Sequence, residues 1–184
     1  MTKMARRKER SKYLTPEEIS ENDFIEIVHT LIGDLCIVAS GKGLKAIKLI
    51  GEFVPKSKEN QFTRATLCQL NEYFIGERTA FDLEFDTGDH SDFANRVWTD
   101  LLKIPYGNTI SYTQLAARLG DPLCIRAAAS ANGQNPIPII IPCHRVIGSD
   151  GSLTGFALGL DIKQKLLALE NPDRFAIKQI GLFD

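Results

Sequence analysis

Between Phe24 and Ile50 the apolar positions fall into three short runs separated by turn residues. Phe24-Ile25-Glu26-Ile27-Val28-His29 alternates, Gly33-Asp34 follows, Leu35-Cys36-Ile37-Val38-Ala39 is continuously apolar, and Gly41-Lys42-Gly43 precedes Leu44 to Ile50. Runs of this length punctuated by glycine predict a three-stranded meander. The period then changes. Phe62, Ala65, Leu67, Leu70 and Phe74 recur near helical spacing, and Phe81-Asp82-Leu83-Glu84-Phe85 returns to alternation, which predicts a helix between Asn60 and Phe74 and then another strand. The acidic stretch Asp86-Thr87-Gly88-Asp89 marks a linker.

Beyond the linker the pattern is helical. Phe93, Val97, Leu101 and Ile104 share one face, Trp98 and Leu102 widen it, and Pro105-Tyr106-Gly107 closes the helix. Ser111 is placed to cap a short helix through Leu119. Gly120-Asp121-Pro122 predicts a tight turn, with Pro122 as the first residue of a helix reaching about Asn132. Two short helices joined by a glycine turn outline a helix-turn-helix, although plain structural corners share that outline. On the second helix Ala127-Ala128-Ala129-Ser130-Ala131 follows one large cation, Arg126. Side chains this small let a backbone approach closely, either to a narrow nucleic-acid groove or to another helix of the same protein.

With 184 residues, 43% of them hydrophobic and 24% charged, the chain can bury a core as one domain or two small ones. The basic N-terminus has no apolar stretch behind it and no run is long enough to span a membrane, so the expected location is the cytoplasm, with no membrane partner. Net charge is only −1, yet it is unevenly spread. Lys3, Arg6, Arg7, Lys8, Arg10 and Lys12 make the first twelve residues basic, acidic residues prevail from Tyr13 to Asp92, and Arg96, Lys103, Arg118, Arg126 and Arg145 outnumber Asp100 and Asp121 from Phe93 to Gly148. A polyanion should therefore meet the second half, and the tail either adds phosphate attraction or is simply solvated.

The four cysteines, Cys36, Cys68, Cys124 and Cys143, include no Cys-x-x-Cys pair, so no metal site is expected. Cys143 stands apart. It lies where the apolar run Ile137-Pro138-Ile139-Ile140-Ile141 breaks at Pro142, and His144-Arg145-Val146 follows at once. A thiol at the mouth of a buried segment, with an imidazole nearby to take its proton, is a candidate nucleophile, whereas a cysteine after an apolar strand is also a common core filler.

The order and spacing of Phe93-x-x-x-Val97-Trp98, Ile104-Pro105-x-Gly107, Ser111-Tyr112-x-x-Leu115-Ala116, Gly120-x-Pro122, Arg126-Ala127, Asn135-Pro136, Ile141-Pro142-Cys143-His144-Arg145-Val146, Gly155-Phe156 and Lys163-x-x-Leu166-Leu167-x-x-Glu170 resembles the O6-alkylguanine-DNA alkyltransferases. The resemblance is close from Phe93 to Glu170 and weaker in the first half. It implies a basic tail over 1–20 and a small α/β domain over 21–88, an antiparallel sheet plus helix like that of ribonuclease H. A mostly helical domain with a winged-helix-like helix-turn-helix would then occupy 89–184.

The activity implied is direct repair of double-stranded DNA by a monomer without a cofactor, moving the alkyl group from the O6 of a flipped guanine, or from O4-alkylthymine, to Cys143. The thioether has no good leaving group, so each molecule would act once. Displacement at carbon needs sulfur, carbon and oxygen nearly in line, which a stacked base does not permit. His144 would take the thiol proton through a water, because neighbours in an extended chain face opposite ways. Glu170 would hold the imidazole in one tautomer.

By the same resemblance Tyr112 would donate a proton toward the departing guanine and press on a phosphate, and Arg126, followed by Ala127, would fill the gap in the stack. Asn135 would tie the helix-turn-helix to the nucleophile loop, and Lys163 would sit near the Cys143 carbonyl or the tyrosine. Thr113, Asp121 and Ser149 align with backbone-contacting positions, although an aspartate repels phosphate. Phe156 would form the aromatic wall of the base pocket, with Val146 and Ala157 supplying backbone hydrogen bonds. Leu158 stands where many members carry glycine, so methyl lesions should enter more readily than benzyl ones.

Three rival readings are a lesion-binding relative without repair activity, a methylation-responsive regulator and a thiol hydrolase. The first lacks an acceptor cysteine and the second needs a cysteine-rich module absent from the sequence. The third would turn over repeatedly.

Overall fold

A computed structural model describes residues 12–176. Strands β1 (Phe24–Thr30), β2 (Gly33–Ala39) and β3 (Leu44–Leu49) form an antiparallel sheet in that order. Central β2 explains its own unbroken apolar run, because both of its faces are covered. Leu35 and Ile37 point into the main core with Leu70 and Tyr73 of helix α1 (Gln61–Phe74), and Cys36 and Val38 enter a second cluster with Leu14 and Ile25.

Residues 12–20, counted with the tail above, are tied down rather than loose. The Leu14 N–H donates to Leu49 O at 2.9 Å, Leu49 N–H donates to Lys12 O at 3.1 Å, and Pro16–Glu18 forms one 3-10 turn. The remainder of the basic tail lies outside the described residues. The strand expected over 81–85 is reduced to a single bridge between Phe85 and Leu44, made by Leu44 N–H to Glu84 O and Asp86 N–H to Leu44 O, both 2.8 Å. Its alternation is real, since Phe81 and Leu83 pack on the core, but the segment touches β3 only where Gly43 lets it pass: a Cβ there would lie 2.8 Å from the Glu84 oxygen.

The second half holds α2 (Asp92–Leu101), α3 (Tyr112–Arg118), α4 (Ile125–Gly133), α5 (Leu160–Glu170) and α6 (Pro172–Phe175), plus a parallel pair, β4 (Ile110–Ser111) with β5 (Val146–Ile147). Ser91 and Ser111 cap α2 and α3 through their side chains. Leu102, expected on the apolar face of α2, is exposed because the helix ends at Leu101 and the chain turns to bury Ile104 instead. The helix expected from Pro122 is split. Pro122–Cys124 is a 3-10 turn, closed at its start by the Asp121 carboxylate accepting from Leu123 N–H at 2.9 Å, and α4 begins after it. Ile137–Ile141 is not a strand either. It folds into a turn in which Ile141 N–H donates to Ile137 O at 3.0 Å and Ile139 takes φ 77°, the one positive φ outside glycine among the described residues.

Residues of both halves share one hydrophobic core, from Val28 and Leu35 through Trp98 and Leu115 to Cys143 and Leu166. The halves are thus packed as one unit around the nucleophile segment. Asn60 caps α1 and ties it to the end of β2, accepting from Phe62 and Thr63 N–H at 3.0 and 2.9 Å and donating to Ser40 O at 2.9 Å. Asn60→Ala is expected to lower the urea midpoint, with an unchanged slope, by an amount equal to about 1 kcal/mol. A midpoint equal to the parent's would show that the cap does not hold the helix.

Candidate active site

The site begins with the small residues of α4. Ala128 and Ala131 are buried on the face toward α2, where the Trp98 indole N–H donates to Ala131 O at 2.9 Å. Close helix packing therefore accounts for half of the alanine run. Arg126 and Ala127 are exposed, and Ala129 and Ser130 are half-buried. Of the two purposes weighed for the run, close helix packing is the one these contacts show.

After α4 the chain turns sharply at Asn135, which is 5% exposed. Its Oδ1 accepts from Ile137 N–H at 3.0 Å, and its Nδ2 donates to Ile141 O at 2.7 Å and lies 3.0 Å from Cys143 Sγ. One amide thus spans the turn and reaches the sulfur. The same turn is pinned to the sheet by Ile47 N–H to Pro136 O at 3.0 Å. Cys143–Arg145 is a 3-10 turn, so the side chains diverge around a helical turn rather than across a strand. The extended geometry expected at Cys143–His144 is thus replaced by a helical turn.

His144 is fully buried, and its Nε2 lies 2.8 Å from Glu170 Oε1. Arg145 donates through Nε to Oε2 and through Nη2 to Oε1, both at 2.9 Å, and through Nη1 to Ile104 O at 2.7 Å. Gly107 N–H at 3.2 Å and the Tyr73 hydroxyl at 2.8 Å complete the carboxylate. Burial alone would raise the Glu170 carboxyl, but the hydrogen bonds and charges of His144 and Arg145 outweigh it and hold it well below the usual carboxylate range. An ionised carboxylate only accepts, so His144 Nε2 carries the hydrogen and Nδ1 offers the lone pair. Nδ1 has no hydrogen-bond partner among the described residues, and burial lowers the imidazole pKa against the pull of Glu170. That combination is a poised base.

Cys143 is 1% exposed, and burial pushes its thiol up to about 11 in spite of the Asn135 hydrogen bond and the charge of Lys163. Of the two neighbours expected for Lys163, the Cys143 carbonyl and the tyrosine, the structure favours the second. The ammonium donates to Val146 O at 2.6 Å and Thr154 O at 2.7 Å rather than to the Cys143 carbonyl, which instead faces Asn132 Nδ2 at 3.4 Å. The part of the expectation that placed it by the tyrosine agrees with its position 6.0 Å from the Tyr112 ring. Burial brings the Lys163 ammonium down to about 8.

A cavity of about 1120 Å³ opens beside Asn135, with Tyr112, Pro138, Phe156, Ala157 and Leu158 on its wall and Arg126 at its edge. The Tyr112 hydroxyl lies 3.3 Å from the Thr154 and Gly155 carbonyls, and the Phe156 ring stands edge-on to His144 at 6.3 Å. Leu158 is buried in the main core while lining this wall. Thr113 and Ser149, exposed, meet through their hydroxyls at 3.0 Å. Asp121 turns its carboxylate to the Leu123 N–H.

Three contributors were not singled out from the sequence. For Arg145 the one signal is a guanidinium inside an apolar motif with no acidic neighbour in sequence. Asn132 bridges toward the Tyr112 hydroxyl and the Cys143 carbonyl, both at 3.4 Å. Tyr73 comes from the other half of the chain and carries no local signal.

Two family models match this chain, one described as the ribonuclease-like domain of 6-O-methylguanine DNA methyltransferase, over residues 24–87, and one as its DNA binding domain, over 92–172. The methylated-DNA–protein-cysteine methyltransferase of Methanosarcina barkeri is 42% identical over 156 residues, which span 80% of this chain and 96% of that protein. The crystal structure of Mycobacterium tuberculosis O6-methylguanine methyltransferase is similar with a TM-score of 0.73 at 39% identity, covering 88% of this chain and 99% of that one. A crystal structure of Mycobacterium tuberculosis OGT in complex with DNA gives a TM-score of 0.73 at 40% identity, over 81% and 93%.

The carboxylate network has a stability consequence. The Glu170 carboxyl is depressed below its ordinary value of 4.5, so its contribution is present above that pH and lost as pH falls through the lower folded value. Arg145→Met is expected to cost roughly 3 kcal/mol at neutral pH, because it strips a buried charge of its partner, and to flatten the acid decline in stability. Urea unfolding between pH 7 and 3 measures both effects.

Proposed function

The chain belongs to the 6-O-methylguanine DNA methyltransferase family, and from that premise we propose that it repairs DNA by moving the alkyl group of O6-alkylguanine onto Cys143. The observation that carries this reading is the sulfur itself. Cys143 Sγ lies 3.0 Å from Nδ2 of Asn135, which lines the cavity, and the next residue along the chain, His144, pairs with buried Glu170 and keeps Nδ1 without a partner among the described residues.

The chemistry follows from the protonation states. With its thiol pushed to about 11, Cys143 enters the reaction as S–H and must lose its proton during it. The proton passes through a bridging water to His144 Nδ1, and Glu170 stabilises the imidazolium that forms. Sulfur then attacks the alkyl carbon, the carbon–O6 bond breaks, and its electron pair leaves on the guanine. Tyr112, whose pKa is raised chiefly by burial, keeps its proton until the departing base becomes anionic and can take it. The product is a thioether, which water does not cleave, so one protein repairs one lesion.

Reaching O6 in line requires the nucleotide to leave the duplex. Arg126, at the edge of the cavity on the exposed side of α4, is positioned to occupy the space in the stack, and the neighbouring Ala127 keeps the approach clear. Thr113 and Ser149 offer adjacent hydroxyls to a backbone phosphate. Lys163 staples the two ends of the pocket loop by holding Val146 O and Thr154 O together, and with its charge favours the thiolate. Phe156 and Leu158 make a wall suited to a base carrying a methyl group better than to one carrying a benzyl group. The scheme treats the protein as a monomer.

Incubation with duplex DNA carrying labelled O6-methylguanine is expected to place one label per protein on the Cys143 peptide, and none in Cys143→Ser. Label on Cys124, or lesions removed beyond molar equivalence, would overturn the assignment. Arg126→Ala is expected to slow transfer from duplex DNA by roughly ten- to a hundredfold, the scale of a few kcal/mol for extruding a base, while transfer from the free base stays near the parent rate.

A further inference from the structure

Tyr73 belongs to α1, in the half of the chain that supplies none of the groups assigned to the reaction. Its hydroxyl nevertheless donates to Glu170 Oε1 at 2.8 Å across 97 residues of sequence. That oxygen is the one that meets His144 Nε2, also at 2.8 Å. The Tyr73 side chain is fully buried, with Phe74 edge-on at 5.2 Å, Phe81 at 5.5 Å and Tyr106 edge-on at 6.0 Å. This aromatic surround fixes the ring, so the hydroxyl has one destination. If the position served packing alone, phenylalanine would fill it without the cost of burying a hydroxyl.

We propose that Tyr73 is a positioning residue for the alkyl transfer: its hydroxyl fixes and partly neutralises the carboxylate oxygen that orients His144, and through it the N-terminal half takes part in the chemistry. The proposal rests on the reading that His144 receives the thiol proton. Burial and the Glu170 charge hold the phenol pKa well above its ordinary value, so Tyr73 remains a donor across the working pH range.

The sign of its effect can be worked out from the groups that face the pair. Glu170 meets Tyr73, His144, Arg145 and the Gly107 N–H, with Tyr106 nearby donating to Leu169 O at 3.3 Å. His144 also feels the positive charges of Arg145 and Lys163. Removing the Tyr73 donor leaves Oε1 more negative and the adjacent imidazolium more stable. His144 then protonates at a higher pH, and the neutral imidazole that accepts the thiol proton becomes scarcer on the acid side.

The test is the single-turnover methyl-transfer rate between pH 5 and 9 in the full chain. In Tyr73→Phe the acid-side midpoint is expected to rise by roughly half to one pH unit, about half of the full worth of a hydrogen bond to a charged group because the effect reaches His144 through Glu170, and the plateau rate to fall severalfold. Thr66→Val is the matched control. Thr66 is equally buried on the same helix, but its hydroxyl donates to Phe62 O within α1 at 2.8 Å, so its acid side should stay with the parent. A Tyr73→Phe profile that coincides with Thr66→Val would show Tyr73 to be a core filler and sink the proposal. Should Tyr73→Phe fail to fold, the parent protein decides by nuclear magnetic resonance: the hydroxyl proton of Tyr73 must resist exchange and shift as His144 titrates, and its absence rejects the idea. A parent protein that places no methyl on Cys143 refutes the functional reading instead.

Discussion

A negative charge buried at Glu170 organises the molecule. A carboxylate removed from water must be met by donors or it becomes neutral, and this one is met by five: Tyr73, His144, two nitrogens of Arg145 and the Gly107 N–H. Those donors come from α1, from the turn before α3 and from the nucleophile turn, and the acceptor ends α5. Each element must therefore stop where the carboxylate can be reached. Gly107 shows how tight the convergence is. It has φ 74°, and a Cβ there would meet the Glu170 carbonyl oxygen at 3.1 Å.

The same network explains how a buried histidine stays useful. Desolvation lowers the imidazole pKa against the pull of Glu170, while Glu170 fixes which nitrogen holds the hydrogen. Were Glu170 exposed, water would screen it and the tautomer would be free. Opposite this pair, the nucleophile loop is held by Asn135, by Pro136 on β3 and by Lys163 on the far side of the pocket. Ile139 takes a left-handed conformation within that loop. For a β-branched residue this stores about 1–3 kcal/mol, which the surrounding contacts must outweigh. The result is a thiol set by its loop rather than by its own rotamer freedom.

Much of the fold was legible in the order of apolar and polar residues. The three strands and α1 lie within a residue or two of where periodicity put them, because each buries a face whose spacing matches its geometry, whereas α2 stops at Leu101, three residues short of Ile104. Periodicity failed where burial and hydrogen bonding part company. Phe81–Phe85 alternates because two side chains reach the core, yet it finds a partner strand at one point only. Ile137–Ile141 is apolar because it is buried, and a buried turn cannot be told from a buried strand by apolarity alone.

The sequence alone determined the local chemistry: which residue is a thiol, that an imidazole and a guanidinium follow it, that a cation heads an alanine-rich helix, and where capping serines start helices. These are properties of neighbours along the chain. Only the tertiary structure decided which carbonyls Lys163 would hold, that Arg145 would pair with Glu170, and that a tyrosine from the first half would reach the same carboxylate. Those pairings join residues far apart in sequence, and they are settled by the demand that every buried charge find its partners.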